Sequence, residues 1–502
     1  MSYPKKILRL RPTRGIVSDV PANEIALEFY STGRNVLMRR GFASRVLGSR
    51  QVYGTLPSEV LHLRYALGFW LVFGADDINA LETTNQDDIS ITSQDAVTQA
   101  WQWSTALLNG IPIATNGLDP LSYWAGSVGS PFVTLPDWDA NWTCASVAAF
   151  KYHIFALDIT DTSVRYPSRI YWSDAAEPGT VPAEWVPDAD NEAGDVELAD
   201  APGAIMCAAP GRGSLIIYKP TATYAADYVA GESVFAFRQL FSTSGALTRH
   251  SVANLSGQHV VVTGDDIILT DGQNRQSIGQ QRMRSYLFNQ LGAGFENLFA
   301  FYNRPKNEVI IAYPTGTDTL CSQALVYDVG NDSFGVRDLP DITCAELGVL
   351  DDTAPSDDWD SDSDTWDSDI SVWSATSSSA IESLVFGADD ELIGQDTDDL
   401  VALEAGIGRY DLTFADPERV KFVKRVHVRA EPGFGELLVR LGSRMSPSDT
   451  ITWSNEVALT EPEQIVNAFA QGRYISVEAR SIGSEVWTVT GIDIEAELRG
   501  YH

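Results

Sequence analysis

Short apolar runs that end in a glycine or an aspartate recur along the whole chain. The sequence LVFGADD occurs at residues 71–77 and again at residues 384–390. In each copy three apolar residues lead into a glycine and a pair of aspartates, which is typical of a buried strand followed by a tight, solvated turn. Because a seven-residue identity within one chain is improbable by chance, we interpret the two copies as the first and last of a repeated unit.

Weaker copies of this unit lie between the two. The apolar cores are FWLVFG (69–74), GIPIATNG (110–117), YHIFALD (152–158), GSLIIYKP (213–220), HVVVTGDD (259–266), NEVIIAYP (307–314) and ESLVFGADD (382–390). Four of the six spacings between their starts are 41, 42, 46 and 48 residues, near the period of about 40–50 residues in propeller blades. A single blade cannot bury both faces of its sheet, whereas a closed ring of blades can. The pattern therefore predicts an all-β fold with a β-propeller of about seven blades.

The two ends of the chain differ from this repeat. Residues 401–502 alternate apolar and polar positions, as in FVKRVHVRAE (422–431), which indicates antiparallel strands with one solvated face. We predict an additional antiparallel β-sandwich-like domain there. Residues 1–54 are predicted to form a basic N-terminal β segment that packs on a neighbouring domain, and residues 55–400 to form the propeller. The one helix predicted in the middle of the chain covers residues 279–291.

An Asp-rich stretch interrupts the propeller at residues 351–369. It reads DDTAPSDDWDSDSDTWDSD, with nine aspartates and neither lysine nor arginine. Aspartates alternate as they do in calcium loops, but the central glycine and terminal glutamate of an EF-hand are missing. We predict an exposed insertion whose deletion leaves the fold intact, either a solvated loop or a docking element, with a calcium site as the alternative.

The charge of the chain is strongly negative and unevenly distributed. The formal net charge is −33. Residues 1–50 nevertheless hold ten Lys and Arg against three acids, a local excess of seven positive charges. An acidic body repels nucleic acid and anionic membranes at long range, and it also serves solubility. No apolar run approaches the roughly 20 residues that a membrane helix needs, so we expect no membrane-spanning segment.

Aromatic residues are dense in residues 101–146, where they could form a platform for a sugar. Packing between blades explains them better, because large rings fill the wedge between neighbouring sheets. The residues concerned are Trp101, Trp103, Tyr123, Trp124, Trp138 and Trp142.

The sequence contains no recognisable catalytic constellation. Six histidines are scattered without the spacing of a metal site. Four cysteines lie far apart, which indicates buried free thiols more than a disulfide or a metal site. The carboxylate pairs Asp76–Asp77 and Asp265–Asp266 could serve a glycosidase, but they recur at equivalent turns, so turn chemistry explains them better. We assign no catalytic, cofactor-binding or metal-binding residue, and we expect no cofactor and no enzymatic activity.

Several passages of the chain resemble a family of bacteriophage proteins. They are GIVSDVPANEIALEFYSTGRNVLMRRGFASRVLG near the N-terminus, RIYWSDAAEPGTVPAEW (169–185), the run from 200 to 252, DDIILTDGQNRQSIG, the duplicated WDSD and GRYISVEARS. The sequence resembles, over roughly residues 10–345 and 405–500, the tail nozzle or tail hub proteins of short-tailed bacteriophages, also called packaged-DNA stabilisation proteins.

That resemblance implies a structural virion protein of the phage tail, assembled in the host cytoplasm. It implies a homohexameric ring below the portal and its head-to-tail adaptor, which carries tail fibres or spikes. Double-stranded DNA would be retained by this ring and pass through it at ejection without sequence-specific binding. The alternative is a propeller that binds or degrades glycans as a tail protein.

The positive N-terminal region leads to one further expectation. In a ring with an acidic wall, DNA slides without gaining affinity from counterion release at Lys and Arg. The N-terminal charges would then contact an acidic neighbour, the adaptor. We therefore expect Arg39, Arg40 and Arg45 on the exterior of the propeller or at the adaptor junction.

Overall fold

The fold combines a ring of small sheets with a pair of larger ones. The computed structural model describes residues 4–82, 85–229, 234–350, 381–398, 401–433, 435–460 and 464–501. Within these residues, seven four-stranded antiparallel sheets are the blades of a β-propeller, and two larger sheets form a β-sandwich. The fold class predicted from the sequence is confirmed. The insertion predicted at 351–369 lies outside the described residues.

Six blades are each built from four consecutive strands. From the axis outwards, blade 1 contains His62–Ala66, Phe69–Phe73, Ile78–Glu82 and Asn85–Asp88. Blade 2 contains Ser104–Leu108, Ile111–Thr115, Ser122–Tyr123 and Val133–Thr134. Blade 3 contains Trp142–Phe150, His153–Asp161, Val164–Trp172 and Gly194–Glu197. Blade 4 contains Cys207–Pro210, Ser214–Tyr218, Thr223–Tyr228 and Phe235–Phe241. Blade 5 contains Val252–Asn254, His259–Val262, Ile267–Thr270 and Arg275–Ser277. Blade 6 contains Phe299–Asn303, Glu308–Tyr313, Cys321–Asp328 and Ser333–Ile342.

Blade 7 closes the ring with a strand from the opposite end of the chain. Its first three strands are Cys344–Leu350, Ile381–Ala388 and Glu391–Asp398, and its outermost strand is Gly48–Tyr53. Ile393 pairs with Gln51 in this outer ladder. On the inner side, the Trp70 indole of blade 1 donates a hydrogen bond to the Val349 carbonyl at 3.0 Å, which joins the last blade to the first.

The seven apolar cores found in the sequence are the second strands of the seven blades. These strands are buried almost throughout, because each lies in a sheet packed on both faces by neighbouring blades. The two LVFGADD copies therefore occupy equivalent positions in blades 1 and 7, which are neighbours across the closure, as predicted.

The glycine of LVFGADD is required by close packing at the end of the second strand. A Cβ at Gly74 would lie 2.0 Å from Asp77 Oδ1 and 2.2 Å from Ser58 Oγ. A Cβ at Gly387 would lie 2.5 Å from Val60 Cγ1. In both copies the turn accepts hydrogen bonds from the segment that leads into the next blade. Val97 N donates to the Ala75 carbonyl at 2.8 Å, and Val60 N donates to the Asp389 carbonyl at 2.6 Å.

The β-sandwich is built from both ends of the chain. One sheet contains Lys5–Leu10, Val36–Arg39, Phe42–Arg45, Lys421–Ala430, Ile465–Val466, Ala470–Gly472 and Thr488–Leu498. The other contains Thr32–Arg34, Ala405–Leu412, Leu438–Arg444, Thr452–Trp453, Val457–Ala458 and Tyr474–Ser481. Alternate residues of the two sheets, among them Val426, Val477 and Ile494, meet in one buried core.

The N-terminal segment belongs to both domains. The predicted single unit over residues 1–54 is wrong, because the strand pairing divides it. Strands up to Arg45 join the sandwich, and Gly48–Tyr53 joins the propeller. The weakly apolar pattern of this closing strand gives no indication of a partner more than 300 residues away.

The sandwich and the propeller share a continuous apolar core. It runs from Val36 and Ile407 of the sandwich to Val309 and Val336 of blade 6. The α-helix Arg284–Gln290 packs into the same core through Leu287. This helix is shorter than the predicted range 279–291, because the Gly279 carbonyl accepts the first backbone hydrogen bonds in a turn before it. Within the residues that the structure describes, no helix combines the length and the hydropathy of a membrane span.

Candidate functional site

A pocket of about 250 Å³ lies on the axis of the propeller. The first strands of all seven blades, or the residues that lead into them, contribute to its lining. Two short 3-10 turns, Ala100–Gln102 and Phe295–Asn297, come into contact from the connections into blades 2 and 6 and bring Trp101 and Asn297 to the pocket. Concave sites with a few convergent polar groups are where small ligands bind, so this pocket is the candidate site.

Two guanidinium groups face the pocket. Arg64 on the first strand of blade 1 lies 3.3 Å from the Glu346 carboxylate on the first strand of blade 7. Arg249, just before the first strand of blade 5, donates to the Ala145 carbonyl at 3.0 Å. Its guanidinium lies 5.2 Å from the centre of the Trp101 ring, a cation–π contact that fixes its orientation.

The carboxylate nearest to Arg249 is mainly engaged elsewhere. Arg165 donates to both oxygens of Asp158, at 2.8 and 2.6 Å. Arg249 reaches the same carboxylate only at 3.5 Å. Charge-assisted N–H···O contacts are normally about 2.7–2.9 Å long, so Arg249 is only loosely paired.

Two histidines lie side by side in the lining. The rings of His62 and His250 are 5.7 Å apart, and His62 Nε2 lies 2.9 Å from Thr105 Oγ1. Burial and the neighbouring Arg249 charge lower the pKa of His250 to about 4. Burial, His250 and Arg64 also lower the pKa of His62. Both rings are therefore neutral at pH 7 and offer hydrogen bonds without a charge.

Cysteine and glutamate side chains complete the lining. Burial raises the pKa of the Cys207 and Cys344 thiols to about 12, so neither is a thiolate at neutral pH. Burial also raises the pKa of Glu346. Among the described residues of the lining, Glu346 is the one carboxylate. Glycoside hydrolysis in its usual form needs two carboxyl groups, and the described residues place one in this pocket. Within the described part of the chain, no cluster of three His, Cys, Asp or Glu side chains could hold a metal ion.

The carboxylate pairs considered in the sequence are part of turns. Asp77 Oδ1 accepts a hydrogen bond from Ser58 Oγ at 2.5 Å, and Asp77 Oδ2 accepts one from Asn79. Asp266 Oδ1 accepts the backbone N–H of Ile267 at 2.8 Å. These contacts hold the hairpin between the second and third strands of a blade, in agreement with the interpretation as turn chemistry.

Most of the clustered aromatic rings fill space between blades. Trp103 and Trp124 are fully buried, and Trp138 is nearly so. Trp103 packs on Phe73 of blade 1 and donates its indole N–H to the Gly74 carbonyl at 2.9 Å. Trp101 differs from these residues, because it lines the axial pocket.

The expected exterior location is wrong for Arg45, and the partly exposed Arg39 is engaged with its own chain. Arg39 forms ion pairs with Glu308 and, at 2.8 Å, with Asp328 in blade 6. Arg45 is buried and donates to the carbonyls of Val401 and Ser484 at 2.7 and 2.8 Å. Arg39 has partners within its own chain because it lies between the sandwich and blade 6. Arg45 has them because it lies against the segments that contain Val401 and Ser484. Arg40 is exposed.

Other cations of the N-terminal region also contact carboxylates of their own chain. Arg34 contacts Asp338 at 2.8 Å and Glu404 at 3.1 Å, and Lys5 contacts Glu495 at 2.6 Å. The acidic neighbour of these residues is therefore, for the most part, the remainder of the chain itself.

Sequence reasoning missed the pocket residues. Arg64, the adjacent pair Arg249 and His250, and Glu346 come from three distant parts of the sequence and match no motif. The ring alone brings them together. A usable signal was the position of His62 and Arg64 in a short strand that precedes a strongly apolar one, since the first strand of each blade faces the axis.

The site and the sheets define a seven-bladed β-propeller with an axial pocket and a β-sandwich built from both chain ends. No protein-family model matches the sequence, and no curated protein is significantly similar to it. Solved structures resemble it only remotely. The WD40 β-propeller domain of Doa1 is 7% identical, with 70% of this chain and 96% of that one covered and a TM-score of 0.38.

Two other structures are similarly distant. YCF48, solved with a D1 peptide, is 10% identical over 72% of this chain and 99% of its own, with a TM-score of 0.39. The computationally designed Ika8 protein is 12% identical over 70% and 98%, with a TM-score of 0.35. Likenesses this weak carry no argument about function, and the fold assignment rests on the strand pairing.

Proposed function

We propose that the protein is a structural component of a short-tailed bacteriophage virion, a tail nozzle or hub. In this proposal, copies of the chain form a homohexameric ring attached to the head-to-tail adaptor. The ring retains packaged DNA, carries fibres or spikes, and forms the conduit for ejection. The support is the resemblance of the sequence to that family, and the location of the resembling passages in both domains.

The observation that carries the proposal is the joint between the two domains. The resembling passage near the N-terminus supplies the strands Thr32–Arg34, Val36–Arg39 and Phe42–Arg45, which lie where the two domains meet. Asn35 adds hydrogen bonds to Asp338 Oδ2 at 2.7 Å and to the Glu404 carbonyl at 2.8 Å. The shared apolar core and these polar contacts oppose relative motion of the two domains, which suits a subunit of a ring that retains DNA.

The propeller axis is not the conduit in this proposal. Its pocket measures about 250 Å³ and is lined by side chains of both 3-10 turns, which contact each other. The major groove of DNA alone is about 12 Å wide, so a duplex cannot pass along the axis. The channel must therefore form between copies of the chain. With a net charge of −33 per chain, its wall would repel the duplex and leave it free to slide.

Sedimentation velocity on the purified chain tests the proposal. We expect a closed ring of six copies of 54.8 kDa, about 329 kDa in total, with a central hole visible by negative-stain electron microscopy. We also expect weak binding of duplex DNA even at low salt. A stable monomer at micromolar concentration would contradict the ring. Turnover of a capsular polysaccharide by the pure protein would instead support the glycan-degrading alternative.

A further inference from the structure

The two guanidinium groups of the axial pocket retain unused hydrogen-bonding capacity. Their ion pairs are long, 3.3 Å for Arg64 with Glu346 and 3.5 Å for Arg249 with Asp158. Arg64 Nε has no hydrogen-bond partner among the described residues. By contrast, the buried Arg337 lies 2.7 Å from its carboxylate Asp396. Arginines whose partners are distant remain able to bind an oxyanion in the fork geometry that guanidinium favours.

The charge balance of the pocket has the opposite sign from that of the chain. Among the residues that the structure describes, its lining contains Arg64 and Arg249 against the single carboxylate of Glu346. His62 and His250 add no charge at neutral pH, because their pKa values are lowered. The lining therefore carries one net positive charge inside a protein of net charge −33. Such a charge in a partly enclosed space attracts an anion more strongly than it would in water.

The pocket is accessible on its charged side. About 25% of the Arg64 side chain and 14% of the Arg249 side chain remain exposed, although both lie at the axis. Trp101 holds the Arg249 guanidinium against one face, so its position is established before any ligand arrives. A liquid water occupies about 30 Å³, and a volume of about 250 Å³ therefore suits a molecule of a few to about a dozen heavy atoms.

We propose that the axial pocket binds a small organic anion through its carboxylate or phosphate group, with Arg64 and Arg249 as the binding residues. Trp101 is a positioning residue for Arg249. Glu346 competes with the ligand for Arg64. This inference is independent of the proposed virion function, since it rests on one subunit alone.

Isothermal titration calorimetry on the full chain tests the inference, with malate, inorganic phosphate and glucose as probes. We expect saturable binding of malate or phosphate and none of glucose, and the stronger of the two anions identifies the preferred group. The proposal would be overturned if neither anion gave a heat of binding, or if glucose gave the same heat of binding as the anions. High salt should weaken the interaction, because it depends on charge.

Two substitutions with opposite expected effects make the test independent of folding defects. Arg64→Gln should weaken anion binding about tenfold or more, the effect of losing one hydrogen bond to a charged group. Glu346→Gln should tighten it, because the competing carboxylate is removed. Arg238→Gln is the matched control, since it removes an exposed arginine paired with Asp227 and outside the pocket. Unchanged affinity in both pocket variants, or an equal loss in the control, would show that the arginines do not bind the anion.

Discussion

Arg39 and Glu308 form an ion pair across the joint between the β-sandwich and blade 6. Glu308 is fully buried and also accepts a hydrogen bond from Asn303 Nδ2 at 2.9 Å. Arg39 contacts Asp328 of the same blade as well. One cationic side chain of the sandwich therefore contacts two carboxylates of the propeller.

Replacement of Arg39 should destabilise the protein strongly. Arg39→Met leaves the buried Glu308 without its cation, and removal of one partner from a buried pair costs about 3–5 kcal/mol. We expect a lower urea midpoint by tryptophan fluorescence. Arg238→Met, which breaks an exposed pair, should cost less than about 1 kcal/mol. Equal effects of the two substitutions would show that the ion pair does not hold the joint.

The two glycines of the duplicated LVFGADD should resist substitution. In Gly74→Ala the new Cβ meets Asp77 and Ser58, and in Gly387→Ala it meets Val60 and Cys344. Overpacking of this kind costs about 1–3 kcal/mol. Gly264, in the corresponding turn of blade 5, has open space around it, so Gly264→Ala should leave stability within about 0.5 kcal/mol. Thermal denaturation of the three variants measures the difference, and three similar melting temperatures would refute the packing argument.

The four cysteines should be unreactive in the folded protein. All are buried and free, and burial raises the pKa of Cys144, Cys207 and Cys344 to about 12 and that of Cys321 further. Because the thiolate is the reacting species, a thiol reagent such as DTNB should label none of them at pH 8. Four equivalents should react after unfolding in guanidinium chloride. Rapid labelling of a native thiol would contradict their burial.

His250 should make the folded state sensitive to mild acid. Its pKa is lowered from 6.5 to about 4 on folding, so below pH 6.5 the unfolded chain binds a proton that the folded chain does not. Stability from this group is complete above pH 6.5 and is lost as the pH falls towards 4. We expect His250→Asn to lose less stability than the wild type between pH 7.5 and 5.5 in urea denaturation. This range stays above the isoelectric point of about 4.4. If the free energies of unfolding of the variant and the wild type fell in parallel over this pH range, His250 would be excluded as the cause of the acid sensitivity.

The predictable part of the fold was the part buried on both faces. The second strand of every blade is a short apolar run, such as Leu215–Tyr218 within GSLIIYKP, because blades pack on either side of it. Outer strands such as Ser122–Tyr123 are too short to carry a pattern. The axial pocket could not be predicted, since Arg64, Arg249 and Glu346 converge only when the ring closes. The partners of Arg39 and Arg45 were missed for a related reason: a local excess of charge does not reveal a distant carboxylate.

Closure of blade 7 by Gly48–Tyr53 constrains how the protein can be synthesised. The partner strand Glu391–Asp398 leaves the ribosome more than 300 residues later, and at about 5–20 residues per second the first strand waits for tens of seconds. The sandwich strands Lys5–Leu10 and Thr488–Leu498 wait longer still. During translation the nascent chain therefore exposes unpaired strand edges, the templates for aggregation. Productive maturation must be largely post-translational and will depend on chaperone capacity in the cell that makes it.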